Sequence, residues 1–190
     1  MNTDHHTLAV LETKRLILKE ITPGFWDYAF RNWSDDELKN TFGYTAENLP
    51  VEKEKHRLGL LNYHISFKNF VMITKDTNTV LGRIGYHTWY VRHHRAEIGY
   101  GIEDKAQRGK GYISEALKPL LAYGFEKMGL YRTEALTAPD NIASIKVLQN
   151  HGFLLEGVLR GHYYINGEQS DSNCYSLLKD EYEKLKHNWQ

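Results

Sequence analysis

The stretch Gln107-Arg108-Gly109-Lys110-Gly111-Tyr112 is the most informative segment of this 190-residue chain. It follows residues 95–103, which read as a strand, and it opens residues 111–128, which have the apolar spacing of a helix. Glycines in such a turn expose backbone N–H groups at the positive end of the helix dipole, and they let a phosphate approach the backbone closely. The stretch therefore predicts either a pyrophosphate-binding loop or an ordinary tight turn between a strand and a helix.

Two common nucleotide-binding motifs do not fit this loop. A P-loop requires Ser or Thr after Gly-Lys, but Gly109-Lys110 is followed by Gly111. The dinucleotide fingerprint requires a third glycine at the position that Ser114 occupies. If the loop binds a phosphate, neither of these motifs accounts for the binding.

The apolar pattern on either side of the loop predicts a mixed α+β domain and not a doubly wound one. One strand–helix–strand–helix unit lies within an otherwise antiparallel sheet of about seven strands. The expected strands are 15–19, 70–74, 80–86, 95–103, 133–137, 153–165 and 170–178, and the helical segments are 24–62, 111–128, 141–150 and 179–187. The last two strands form a hairpin around Asn166-Gly167. We expect residues 1–10 to be a flexible tail and residues 11–187 to be a single domain.

Composition excludes several classes of protein. Lys and Arg total 24 and Asp and Glu total 24, so the formal net charge is zero, which argues against a nucleic-acid or membrane-surface binder. No apolar run approaches 18 residues, and the N-terminus lacks the pattern of a signal peptide. The one cysteine, Cys174, cannot form an internal disulfide, which indicates a reducing compartment and a cytoplasmic location. The adjacent His93 and His94 face opposite ways on a strand, so no metal site is expected.

Three stretches resemble one family in sequence order. Arg108 to Ile113 resembles the signature of the GCN5-related N-acetyltransferases (GNAT), in which Gln or Arg is followed after two residues by Gly and, two further on, by Gly or Ala. Ala96 to Tyr100 resembles the strand before that loop, and Asn141 to Gly157 resembles the second cofactor-binding helix and its exit. The last stretch, with Asp171 and Tyr175, looks most like the RimJ/RimL branch, which acetylates ribosomal-protein N-termini. The resemblance covers about residues 12–182.

This resemblance implies a GNAT fold, acetyl-CoA as cosubstrate and no metal. The amides of the loop would hold the pyrophosphate of acetyl-CoA, and we assign this part of the site to Gln107, Arg108, Gly109, Lys110, Gly111, Tyr112 and Ile113. Gly101 and Glu103 would pair with the pantetheine arm, and an amide near Ile102 would donate to the oxyanion. Asn141 would bind the pantetheine or acetyl region, although an Asn at this place is also a good helix N-cap.

The resemblance also implies direct transfer, in which a neutral amine attacks the thioester. Glu97 would be the general base, because its position matches that of a strand carboxylate with this role in parts of the superfamily. The alternative is a solvated Glu97 or one paired with Arg95 or Arg132, and Glu103 is a weaker candidate on the same face. Ser144 is the best remaining side chain to protonate the thiolate, because Leu148 stands where many members have Tyr.

Three residues depart from the expected pattern. Ile113 stands where Gly or Ala is usual, and a β-branched side chain there crowds the pyrophosphate unless it points into the core. Leu148 carries no exchangeable proton. Pro119 lies within the long helix and is expected to kink it or remove a backbone hydrogen bond.

The acceptor is less well defined by sequence. Residues 25–70 contain seven acidic and six basic residues, and this balance disfavours a polycation. The branch resemblance favours the α-amine of a protein N-terminus. Acetylation of a small amine (a polyamine, an amino acid or an aminoglycoside) is left open, as are a non-catalytic CoA-binding module and a homodimer.

Overall fold

The computed structural model of the chain describes residues 9–57 and 66–189. The first eight residues of the predicted tail and the end of the predicted helical segment at 58–62 lie outside these ranges. Among the described residues, no helix is long and apolar enough to cross a membrane.

The described residues form a mixed α+β fold, as predicted, with eight strands and six α-helices. The strands are β1 (Val10–Glu12), β2 (Leu16–Ile21), β3 (Ser66–Thr74), β4 (Val80–Tyr90), β5 (Arg95–Ile102), β6 (Arg132–Thr137), β7 (Leu154–Ile165) and β8 (Glu168–Leu178). The helices are α1 (Pro23–Asn32), α2 (Asp35–Phe42), α3 (Leu49–Arg57), α4 (Tyr112–Ala122), α5 (Ile142–Asn150) and α6 (Lys179–Leu185). The additional strand, β1, begins at Val10, the last residue of the expected tail.

All strands belong to one sheet, in the order β1-β2-β3-β4-β5-β6-β8-β7. Every neighbouring pair is antiparallel except β5 and β6, which are parallel. The parallel pairing is short, because it joins only Arg95–Glu97 to Arg132–Glu134. Beyond these residues the two strands diverge, and the sheet opens between them.

Helices cover both faces of the sheet, as the alternation along β3 shows. Phe70 and Met72 belong to the main core, which α4 covers, whereas Val71 and Ile73 belong to a second core beneath α1 and α2. Successive side chains of a strand point to opposite faces. Each apolar stripe of the sheet is therefore buried against its own group of helices.

The turns and caps follow local chemistry that the sequence contains. Asn166 and Gly167 both have positive φ, 53° and 90°, as the tight hairpin turn between β7 and β8 requires. Ser34 and Glu37 form a capping box at the start of α2. The expected hairpin is confirmed, and the capping box is the local reason that α2 begins at Asp35.

The predicted helix 111–128 is not continuous. It runs through Pro119 as α4, and a single π-type turn over Tyr123–Lys127 follows. The buried Tyr86 hydroxyl donates to the Leu120 carbonyl at 3.0 Å, so this carbonyl is satisfied from β4. Gly124 makes this contact possible, because a Cβ there would lie 2.1 Å from the Tyr86 Oη atom.

We expect Gly124→Ala to lower the free energy of unfolding by about 1 to 3 kcal/mol, because the added methyl overlaps the buried Tyr86 ring. Urea denaturation measures the change. Gly24→Ala is the matched control, since a Cβ at this helical glycine meets nothing within 4 Å. Equal stability of the two variants would contradict the packing described here.

Candidate active site

The opening between β5 and β6 exposes backbone groups of β5. The Glu103 N–H donates to the Leu81 carbonyl of β4 at 3.1 Å. Because backbone groups alternate sides along a strand, the amides of Tyr100 and Ile102 point the other way, towards the opening. The Ile102 amide thus has the orientation expected of it. The Glu103 amide does not, because it is already paired within the sheet, and by the same alternation the Gly101 amide also faces β4.

The loop after β5 borders a cleft of about 490 Å³, which we call the loop cleft. Its walls are the end of β5, the loop itself and the first turns of α4 and α5. Gly109 and Gly111 adopt positive φ, 73° and 79°, and Gly111 is the N-cap of α4. A Cβ at Gly109 or at Gly101 would meet no atom within 4 Å, so both glycines adjoin open space. The arrangement presents the start of α4 to an anion.

Side chains of the loop bond to the protein itself. The Arg108 guanidinium donates to the Ile102 carbonyl at 2.9 Å and to the Glu103 carbonyl at 3.4 Å. Lys110 Nζ donates to Gln107 Oε1 at 2.9 Å, and neither of these two residues lines the loop cleft. The loop therefore offers its backbone more than its charged side chains, as the glycine content indicates.

Arg15 fixes the loop from a distant part of the chain. Its guanidinium donates to the Lys110 carbonyl at 3.1 Å and pairs with Glu115 of α4 at 2.7 Å. It also lies 4.4 Å from the centre of the Tyr112 ring. Sequence reasoning missed Arg15, because no local pattern links residues about a hundred positions apart. Tyr112 thus forms part of the anchor of the loop as well as a wall of the cleft.

Ile113 and Leu148 both contact the main core. Ile113 packs against that core while it also lines the loop cleft, so its side chain is only partly directed at a ligand. Leu148 is 1% exposed and supplies no proton.

The start of α5 forms the opposite wall. Asn141 is its N-cap, and its Oδ1 accepts from the Ser144 N–H at 3.1 Å. Asn141 and Ser144 line both the loop cleft and a neighbouring space of about 280 Å³, the junction cavity. Asn141 can therefore cap α5 and face a ligand at the same time. Tyr100 lines the same two cavities as Ser144, and burial raises the pKa of its hydroxyl.

Glu97 lies where β5 and β6 begin to diverge and lines the junction cavity. Its side chain is only 18% exposed. Burial and the nearby Glu134 raise its pKa, while His162 and Arg95 act in the opposite direction. Its carboxylic acid therefore titrates at a higher pH than an exposed glutamate, which suits proton transfer.

The expected alternative, an ion pair of Glu97 with Arg95 or Arg132, does not form. Arg95 and Arg132 pair instead with Glu134, at 2.9 Å and 2.8 Å. Within residues 9–57 and 66–189, no Lys or Arg lies within 4 Å of the Glu97 carboxylate. Glu134, which sequence reasoning did not single out, leaves Glu97 available for chemistry.

Two further spaces adjoin this point. The first, the aromatic cavity, has about 250 Å³ and is lined by Ile21, Trp26, Asp27, Tyr44, Glu52, Lys55, His56, Phe67, Asn69, Arg83 and His87. The second, the sheet-face cavity, has about 420 Å³ and lies over β4 and β5 from Arg83 to Glu103. His87 lines both of them and the junction cavity as well. The three cavities meet at His87, a residue that sequence reasoning missed.

Charges in the aromatic cavity are paired with one another. Asp27 contacts His56 at 2.8 Å and Arg31 at 3.0 Å, and these two hydrogen bonds lower its pKa. Glu52 contacts Lys55 at 2.8 Å and Arg83 at 3.9 Å. The carboxylates of this cavity are neutralised by neighbouring cations.

Other candidates do not join the site. His94 is turned towards the Gly129 carbonyl, at 3.1 Å. Cys174 lies on β8, and burial raises the pKa of its thiol. In the portion of the chain that the structure describes, no three His, Cys, Asp or Glu side chains are grouped to hold a metal ion.

Comparisons with known proteins agree with this geometry. The Acetyltransferase (GNAT) domain matches residues 15–154. An uncharacterized N-acetyltransferase of Bacillus subtilis, YoaA, is 35% identical over 176 residues, which cover 90% of this chain and 97% of that protein. A crystal structure of a GNAT-family acetyltransferase from Bacillus anthracis has a TM-score of 0.63 and 26% identity, over 90% of this chain and 99% of that one.

Relatives with named acceptors match a smaller part of the chain. The ribosomal-protein-serine acetyltransferase of Escherichia coli is 31% identical over 113 residues, 60% of this chain and 62% of that protein. The spermidine N(1)-acetyltransferase of Escherichia coli is 30% identical over 90 residues, 47% of this chain and 48% of that protein.

This chain belongs to the GNAT acetyltransferase family. It is an acetyl-CoA-dependent N-acetyltransferase. The resemblance seen in the sequence is confirmed, including its relation to ribosomal-protein acetyltransferases.

We expect Gly109→Ala to weaken acetyl-CoA binding about tenfold or more, since a Cβ there enters the space beside the loop amides. Isothermal titration gives the dissociation constant. Gly129→Ala is a matched control, because Gly129 also has positive φ, 66°, and open surroundings but lies outside the site. If both variants bind acetyl-CoA equally well, the loop is not the binding element.

Proposed function

We propose that this enzyme transfers the acetyl group of acetyl-CoA directly to the α-amine of a protein or peptide N-terminus, with Glu97 as general base. The observation that carries this proposal is the position of the Glu97 carboxylate. No arginine or lysine of the described residues pairs with it, and it lies at the divergence of β5 and β6. Along β5, the glycine loop for the pyrophosphate, the strand opening for the pantetheine arm and the Glu97 carboxylate for proton transfer follow one another.

The loop cleft accounts for the cosubstrate. The backbone of the loop and the start of α4 accept the pyrophosphate. The pantetheine arm then follows β5, where the Ile102 and Tyr100 amides face the opening and Gly101 leaves room beside the strand. Asn141 contacts the arm from the opposite wall. The thioester consequently arrives in the junction cavity beside Glu97.

Residues of the junction cavity have separate roles in proton abstraction, oxyanion stabilisation and thiolate protonation. The acceptor amine has to lose a proton before it attacks, and Glu97 has the raised pKa that favours taking it. An exposed amide of β5 donates to the oxyanion. Ser144 supplies a proton to the departing thiolate, because Leu148 is buried and carries none.

The charge pattern supports an N-terminal acceptor over a polyamine. A polyamine carries several positive charges and needs uncompensated acids. The acids of the aromatic cavity are instead paired with Arg31, Lys55, Arg83 and His56. The ribosomal-protein-serine acetyltransferase among the relatives supports the same class of acceptor, whereas the spermidine acetyltransferase supports the alternative.

Composition supports the cellular context of this proposal. The single Cys174 supports a cytoplasmic location. A zero net charge supports a partner other than nucleic acid or membrane. The proposal places this activity in a single domain over residues 11–187.

An acceptor panel tests the class of substrate. We expect kcat/KM for peptides with Ser, Ala or Met N-termini to exceed that for spermidine by about tenfold or more, because the neighbouring acids are already paired. Release of the CoA thiol measures turnover. Matched peptides with acetylated N-termini are the control. A preference for spermidine would identify a polyamine acetyltransferase, and acetyl-CoA binding without turnover of any amine would favour a non-catalytic module.

The pH dependence tests Glu97. The pKa of Glu97 is raised, so its basic form appears as the pH rises through that value, and kcat/KM should rise with it. We expect Glu97→Gln to lower kcat/KM by about 10²- to 10⁴-fold and to remove this rising acidic limb. Glu183→Gln, a change on the surface of α6, is the control. An unchanged profile in Glu97→Gln would show that another group is the base.

A further inference from the structure

His87 occupies an irregular position on β4. Tyr86 pairs with Ile98 and Thr88 pairs with Glu97, so His87 is one residue too many in this strand. Such a bulge re-aims a side chain and is common beside active sites. The bulge turns the imidazole of His87 towards β5, next to Glu97.

Gly99 provides the space for this imidazole. A Cβ on Gly99 would lie 2.6 Å from His87 Cδ2 and 3.0 Å from His87 Nε2. The ring therefore lies directly over the β5 backbone, where any other residue would displace it. The bulge in β4 and the glycine in β5 together fix one orientation of the His87 ring.

The ring nitrogens have different surroundings. His87 Nδ1 is 2.9 Å from the Thr88 hydroxyl, and His87 Nε2 is 3.4 Å from a Glu97 carboxylate oxygen. When Nδ1–H donates to Thr88, the Nε2 lone pair faces the same space as Glu97. Two proton acceptors then lie side by side, and no donor from residues 9–57 or 66–189 lies between them. A cationic ammonium group satisfies both at once.

The reaction itself needs two proton acceptors. An ammonium nitrogen carries three protons and the product amide nitrogen carries one, so two protons must leave. One leaves before the nitrogen attacks and the other after the C–N bond has formed. Glu97 accounts for only one of them.

We propose that His87 is the second proton acceptor and that, with Glu97, it forms the binding site for the acceptor ammonium. This inference rests on the acetyl transfer proposed above. Glu97 takes the first proton, and the nitrogen lone pair forms the C–N bond at the thioester carbonyl. His87 Nε2 takes the second proton from the nitrogen, and the C–S bond breaks. The thiolate takes up one proton, and one proton is released to solvent.

The charges around His87 are compatible with a neutral ring at pH 7. Burial of part of the ring lowers its pKa. The titratable and charged groups facing the cavities that meet there are Glu97 and Glu103 of β5, Arg83 of β4, Tyr163 of β7, Tyr100 of β5, Tyr44 after α2, Asp27 of α1, and Glu52, Lys55 and His56 of α3. Asp27 is paired with Arg31 and Glu52 with Lys55, so Glu97 is the carboxylate of this part of the structure that contacts the ring.

The first experiment removes the imidazole and then returns it. We expect His87→Ala to lower kcat for the best peptide about 100-fold, with little change in the dissociation constant of acetyl-CoA. Added imidazole should restore kcat about tenfold in this variant, and it should have no effect on His93→Ala. Restoration by imidazole requires a proton-transfer role, which a purely structural histidine would not show.

The second experiment displaces the imidazole while keeping it in the protein. Gly99→Ala should lower kcat as His87→Ala does, because the new Cβ occupies the place of the ring. Gly157→Ala is the matched control, since a Cβ there meets nothing within 4 Å. Melting temperatures of all variants show that the loss of kcat is not a loss of folded protein.

The outcomes separate this inference from the function on which it rests. If the wild-type enzyme acetylates no amine, the proposed function fails. If the wild-type enzyme is active and His87→Ala keeps its kcat and pH profile, the role of His87 is overturned and Glu97 acts alone. Loss of kcat that imidazole does not restore would also overturn the proton-transfer role.

Discussion

The divergence of β5 from β6 is the constraint on which the rest of the structure depends. Only three residue pairs join the parallel strands, Arg95–Glu97 with Arg132–Glu134. Unpaired backbone groups inside a sheet carry a free-energy cost unless a partner satisfies them. At this opening, a bound substrate can form hydrogen bonds with the unpaired backbone groups of β5. The loop cleft and the junction cavity both exist because the sheet stops pairing at this point.

Ion pairs on either side of the opening keep the site in one geometry. Glu134 pairs with Arg95 and Arg132, and Arg132 reaches on to Glu156 of β7. This network closes the paired end of the two strands and engages the nearby arginines, so the Glu97 carboxylate contacts His87 instead. At the other end, Arg15 and Arg108 bond to backbone carbonyls of the loop and of β5. The loop amides are thereby oriented before any ligand arrives.

Local sequence chemistry predicted much of the fold. The Asn166-Gly167 turn and the glycine loop at the start of α4 both depend on residues close together in sequence. The family resemblance added the order of the strand, the loop and the second helix. Glu97, Ser144, Asn141 and most of the loop do line one continuous set of cavities.

Contacts between distant segments could not be predicted in the same way. Arg15 contacts α4 across about a hundred residues of sequence. Arg95 and Arg132, which were expected as partners of Glu97, pair with Glu134 instead. The β-bulge at His87 depends on the register between two strands, which composition and periodicity do not encode. The pairing of the Glu103 amide could not be predicted for the same reason. Which amides of β5 face β4 is known only when the register of the two strands is known.

The contact between Tyr86 and Gly124 also has a consequence for how this sequence can change over time. A side chain at position 124 overlaps the phenol ring, which costs about 1 to 3 kcal/mol. Truncating the buried Tyr86 costs about 3 to 5 kcal/mol. Natural domains have only about 5 to 15 kcal/mol of stability in total. Each position therefore limits how the other can change over evolutionary time, because a substitution at either one alone removes a substantial part of that stability.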